Sequence, residues 1–106
     1  MMKKINLFDE GNFNDIAFKT LLVHDSENFK ILNFNFRAGQ ELGVHSHDID
    51  GEVSITIIEG TGEFLAADNA TIPAKPGDVL VCEIKVPHGI RATTDMRALV
   101  TIAPPI

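Results

Sequence analysis

The stretch Gly39-Gln40-Glu41-Leu42-Gly43-Val44-His45-Ser46-His47, answered further along by Pro87-His88, decides how this chain is read. Successive side chains on a β-strand alternate faces, so His45 and His47 project to one side with their Cα atoms about 6.6 Å apart. From that spacing both imidazoles reach a single divalent cation at about 2.0–2.1 Å. His88, on a different strand, supplies a third nitrogen. The chain has 4 histidines, and three of them fall in this constellation. A polar edge pair without a ligand is the competing reading of His45 and His47, and His88 in register weighs toward a metal. The remaining histidine, His24, sits beside Asp25 in a polar stretch and reads as a solvated turn residue.

Outward from the histidines the pattern is one of short strands and turns. Strands are predicted over residues 17–23, 29–36, 53–58, 63–66, 79–82, 88–93 and 98–102. In the second of these, Leu32, Phe34 and Phe36 fall on one face and Asn33 and Asn35 on the other. Residues 53–58 are rich in β-branched side chains. Turns are marked by residues 24–28, by Gly60-Thr61-Gly62, by Asp68-Asn69, and by Pro73 and Pro76-Gly77-Asp78. Residues 1–15 read as a loose lead-in, with room for one short helix within 6–18. Many short strands with closely spaced Gly and Pro indicate an all-β sandwich or barrel. Gly39, Gly60 and Gly77 read as turn glycines and Cys82 as a small buried hydrophobe.

The bulk numbers set bounds on function. At 106 residues this is one domain of ordinary size, 44% hydrophobic and 23% charged. Nine basic residues against 15 acidic ones give a net charge of −6. That balance disfavours nucleic acid, whose binding rests on phosphate neutralisation by Lys and Arg. No apolar run is long enough to span a membrane. The N-terminus lacks the apolar segment of a secretory signal. The single cysteine fits a reducing cytoplasm.

With these residues in view, the chain resembles the cupin superfamily of small β-barrels. The family's first motif runs Gly, five residues, His-x-His, three or four residues, Glu, six residues, Gly. Gly39, His45 and His47 match it, Glu52 follows His47 after four residues, and Gly60 can serve as the closing Gly. The second motif contains Pro-Gly-Asp, a hydrophobic run and Pro-His, here Pro76-Gly77-Asp78 through Pro87-His88. The resemblance covers roughly residues 30–103. It implies an all-β double-stranded β-helix, a jelly-roll-like barrel, with 1–106 as a single domain and residues 1–24 as an N-terminal extension. It further implies that His45, His47, His88 and Glu52 hold a divalent transition metal (Fe, Mn, Ni, Zn or Cu) inside the barrel. Barrels of this kind usually pair, and the N-terminal extension is suited to packing across a twofold axis, so a homodimer is expected.

The chain departs from the family pattern in places. Seven residues, not six, separate Glu52 from Gly60, so the family's carboxylate position falls on Val53. Strand alternation points Val53, Ile55 and Ile57 inward and Glu52, Ser54 and Thr56 outward. A β-bulge near Gly51 or after Ile58 is what would return Glu52 to the interior. Glu83 and Lys85 stand where Pro and Gly are usual, and Ala92 where Asn is. If Glu52 is not a ligand, then Asp48, Asp50 and Glu83 are the other carboxylates near the histidines.

Three neutral imidazoles leave positions open on the metal, which is the mark of a catalytic rather than a structural site. Such a metal polarises a carbonyl or generates hydroxide, and a redox metal adds O₂ chemistry. Three functions follow from the resemblance. The first is a metal-binding barrel that binds or transforms a small molecule. The second is a metal-dependent dioxygenase or isomerase. The third is a non-catalytic sensing barrel with vestigial histidines. Fold alone does not choose among them.

Overall fold

The computed structural model describes residues 2–106 and is built of nine strands in two antiparallel sheets. The strands are β1 (Lys19–Asp25), β2 (Lys30–Phe36), β3 (Glu41–His45), β4 (Glu52–Glu59), β5 (Gly62–Leu65), β6 (Thr71–Ala74), β7 (Val79–Glu83), β8 (His88–Ala92) and β9 (Met96–Ala103). One sheet runs β1-β2-β9-β4-β7 and the other β3-β8-β5-β6. This is the all-β architecture the sequence predicts. Each sheet turns one face inward. The five-stranded sheet contributes Phe34, Phe36, Val53, Ile55, Ile57 and Met96 to the core, and the four-stranded sheet contributes Phe64, Ala74, Ile90 and Ala92. The period of two in β2 and β4 is what segregates these side chains.

Two elements differ from the sequence reading. The segment read as a Pro-punctuated connection contains β6, with Pro73 opposite Glu63. That strand is the edge of its sheet, where a residue without an N–H is tolerated. Strand β1 runs on to Asp25, past a register shift between Leu22 and His24, so His24 lies in the strand rather than in the turn. The turn glycines behave as read. Gly60 has φ +77°, and a Cβ there would stand 2.0 Å from the Asp95 carbonyl oxygen, so no other residue fits.

The N-terminal extension folds back on its own sheet. Asn6 caps the single-turn helix α1 (Leu7–Glu10) by accepting from the Phe8 and Asp9 amides. Behind it, Arg97 on the outer face of β9 donates to the Leu7 carbonyl at 2.9 Å and pairs with Glu59. Its guanidinium lies 4.9 Å from the ring centres of both Phe8 and Phe13. Asn35 donates to the Asn12 carbonyl at 2.9 Å and accepts from Asn33. The outward asparagines of β2 are thus buried, Asn35 against the extension and Asn33 bonded to Asn35. No helix among the described residues is long and apolar enough to cross a membrane.

Arg97 is thus the rivet of the extension. Arg97→Leu is expected to cost about 2–3 kcal/mol in urea unfolding, since it strands buried acceptors that had a charged donor. Amide exchange should speed up over residues 6–18 and leave β8 protected.

Candidate metal centre

His45 is the last residue of β3 and pairs directly with His88, the first residue of β8. The pairing depends on a β-bulge. Leu42 is opposite Ile90 and His45 opposite His88, so β3 takes three steps where β8 takes two. In a regular strand, residues three apart face opposite sides. The bulge cancels that alternation and turns both Leu42 and His45 toward the interior. Gly89 makes room for it. A Cβ at Gly89 would stand 2.6 Å from the Leu42 oxygen and 2.9 Å from the Gly43 carbonyl carbon. His47 lies beyond the end of β3, where its amide donates to the Ile84 carbonyl at 3.2 Å. Its place on the His45 side comes from this loop, not from strand alternation.

The three rings stand close together. Ring centres are 4.6 Å apart for His45 and His88 and 5.7 Å for His45 and His47. Two of the rings are held by the backbone. His45 Nδ1 is 2.8 Å from the Gly43 oxygen, and His88 Nδ1 is 2.7 Å from the Val86 oxygen. A carbonyl oxygen only accepts, so in each ring Nδ1 carries the hydrogen and Nε2 keeps the lone pair. Metal-ligating histidines are oriented by second hydrogen bonds of this kind. His88 is only 7% exposed, whereas His47 is open to solvent and, among the described residues, its ring has no hydrogen bond. Among the described residues no group of three or more His, Cys, Asp or Glu side chains stands arranged to hold a metal ion. The Gly43 and Val86 carbonyls orient the rings of His45 and His88, whereas the His47 ring has no such anchor among the described residues.

These histidines line a cavity of about 390 Å³. Its other walls are Leu32 and Phe34 of β2, Val53 and Ile55 of β4, Val100 and Ile102 of β9, and Leu42, Ile84, Ile90 and Ile106. The expectation for Glu52 differs from what the structure places. Glu52 is exposed and sits in register with Glu83 on β7, on the outer side of the sheet. The bulge after Ile57 does exist, but it lies toward Gly60, so alternation from Glu52 to Ile57 runs unbroken. Val53 takes the cavity side. Glu52 and Glu83 share a separate surface depression with Asp50 and Lys85. Lys85 pairs with Asp50 at 2.8 Å and approaches Asp48 at 3.9 Å, so neither aspartate enters the cavity. His24 packs on Phe29 with ring centres 4.7 Å apart, apart from the cluster. Cys82 is half-buried against the core, and burial raises its thiol pKa. Sequence reading missed Ile84 and Ile106 as wall residues. Continuing the β7 alternation past Cys82 reaches Ile84, but nothing in the sequence marks Ile106.

This barrel defines the class: the chain belongs to the cupin family, whose cupin-domain model matches residues 33–103. Its likeness to one RmlC-like cupin, from Desulfovibrio desulfuricans, runs to 57% identity over the whole of both chains, with a TM-score of 0.96. Protein TT1209 of Thermus thermophilus is 21% identical over 99% of this chain and all of its own, at a TM-score of 0.88. A salicylate 1,2-dioxygenase variant from Pseudoaminobacter salicylatoxidans is 20% identical over 92% of this chain and 30% of its own, at a TM-score of 0.72. The last two likenesses show the fold alone. No curated protein matches the chain in sequence.

Two expectations follow. Gly89→Ala presses on the same carbonyls that hold the bulge and the His45 ring. It is expected to cost about 1–3 kcal/mol and to weaken the proton NOE between the His45 and His88 rings. Burial holds His88 below the ordinary imidazole pKa of about 6.5; the Val86 hydrogen bond opposes that shift, and charge on His45 and His47 adds to it. The unfolded chain therefore binds this proton at a higher pH than the native one. The His88 contribution is intact above about pH 6.5 and is lost as pH falls from there through the lower, native-state pKa. Urea midpoints of metal-free protein should fall over that window, and less so in His88→Gln.

Proposed function

We propose that this cupin holds a divalent transition metal on His45, His47 and His88 and uses it to bind a small molecule in the cavity. Cupins often bind a transition metal, and the observation that carries the reading here is the pair of anchored rings. Gly43 and Val86 fix Nδ1–H on His45 and His88, leaving two Nε2 lone pairs beside the open ring of His47. An all-imidazole set suits Zn, Cu, Fe and Ni better than Mg or Ca. A metal held there supplies Lewis acidity and, if redox-active, electron transfer. The chain's own part is to orient the ligand and exclude water. Apart from the three histidines, the described lining carries no side chain that moves a proton. That favours binding or redox chemistry over an isomerase, which needs a placed acid or base.

The proposed pairing of two copies finds support on the edge strand β7. Val79 and Val81 are 58% and 60% exposed there, side by side on the outer face of the sheet. The lone thiol of Cys82 accords with a cytoplasmic location.

Elemental analysis of untagged protein tests the metal. Near-stoichiometric metal is expected, with His88→Ala or His45→Ala weakening it by at least about tenfold and Glu52→Gln leaving it unchanged. Val53→Glu, which puts a carboxylate on the cavity face, should tighten it. Retention of metal in both histidine variants, or its loss in Glu52→Gln, contradicts the reading. For the pairing, light scattering should give a dimer mass that Val79→Lys/Val81→Lys converts to a monomer.

A further inference from the structure

We propose that Lys30 and Ile106 form an anion-reading rim at the cavity mouth, and that its ligand is a small aliphatic carboxylate that takes the place Ile106 holds. This rests on the cavity reading of the proposed function and makes no use of the metal. Lys30 begins β2 on the face that carries Leu32 and Phe34, both of which line the cavity. Its partner across the ladder is Ile102, another lining residue. Strand alternation thus brings a half-buried cation to the edge of the five-stranded sheet's wall, which is otherwise apolar. Arg37, Lys85, Arg91 and Arg97 all have acidic partners, whereas among the described residues no Asp or Glu side chain comes within ion-pairing distance of Lys30.

Ile106 displays what this rim recognises. The turn after β9 is seated on Gly51, where an added Cβ would stand 2.4 Å from the Ala103 oxygen and 2.5 Å from Pro104 Cδ. From there the chain brings Ile106 to the cavity, with its aliphatic side chain in the lining and its backbone oxygen accepting from the Lys30 ammonium at 2.6 Å. Ile106 is 39% exposed, so it stands at the open mouth and not in the core. An apolar body on the wall with an oxygen on the ammonium is the arrangement an aliphatic carboxylate would reproduce. The carboxylate makes a charge-assisted hydrogen bond to Lys30, and its body gains the wall that the Ile106 side chain covers. A neutral ligand of the same shape gains the wall alone.

The test titrates the whole chain, free of metal, with isocaproate and with its neutral isostere isocaproamide. Methyl NMR shifts of Leu32, Val53 and Ile102 report binding, and the same spectra confirm that each variant is folded. Isocaproate is expected to bind about three- to fivefold more tightly than the amide, the size of a solvent-exposed ion pair. Lys30→Gln keeps a hydrogen-bond donor but removes the charge, and should make the two compounds equal. Ile106→Ala should tighten both severalfold, because the wall is then free in a larger share of the molecules. Equal binding of acid and amide to the wild type overturns the inference and leaves the cavity reading standing. A preference for the acid that survives Lys30→Gln, or binding that Ile106→Ala weakens, does the same. Shifts with neither compound, in the wild type and in Ile106→Ala alike, overturn the cavity reading and this inference with it.

Discussion

Between Leu42 and His45, strand β3 carries one residue more than the strand opposite, and the surplus residue is seated over Gly89. The site depends on this packing. Without the bulge, Leu42 and His45 would face opposite sides of the sheet, and the interior would hold one or the other. With it, one strand contributes an apolar wall residue and an imidazole ring to the same cavity. The extra residue is accommodated locally. The Gly43 oxygen takes the His45 Nδ1–H, and the hydrogen bond that fixes the ring also uses the carbonyl that the bulge turns aside. His88 repeats the arrangement with the carbonyl two residues before it.

The opposite wall is governed by unbroken alternation. From Glu52 to Ile57, strand β4 keeps period two, so the position facing the histidines is Val53. Its bulge comes later, beside Gly60, where it absorbs the seventh residue of the spacing without turning Glu52 around. Of the four residues that match the family motif, the three histidines line the cavity and Glu52 does not. The consequence for the proposed metal is electrostatic: a cation held there would have one less compensating charge in an apolar cavity.

Much of this was legible in the sequence. The faces of β2 and β4 follow from Leu32-Asn33-Phe34-Asn35-Phe36 and Val53-Ser54-Ile55-Thr56-Ile57, and the two histidine motifs mark the strand pair that brings His45 beside His88. What could not be read were features set by tertiary contact. The β3 bulge needs Gly89 across the sheet. The contact of Asn35 with Asn12 needs the extension that Arg97 holds in place, whereas the sequence leaves the extension free to reach a second copy. Strand β6 was obscured by Pro73, which matters little on an edge strand and would have mattered in the centre of a sheet. Ile106 lines the cavity while its backbone oxygen accepts from Lys30 of another strand, a contact no local pattern marks.

The central claim is a metal held by imidazoles alone. X-ray absorption at the edge of the metal found in, or reconstituted into, the protein counts imidazole rings through their multiple scattering. The account predicts three rings, with the remaining coordination positions filled by light atoms that small anions exchange. A shell with fewer than two rings, or one that retains a protein carboxylate when anions are varied, would contradict it.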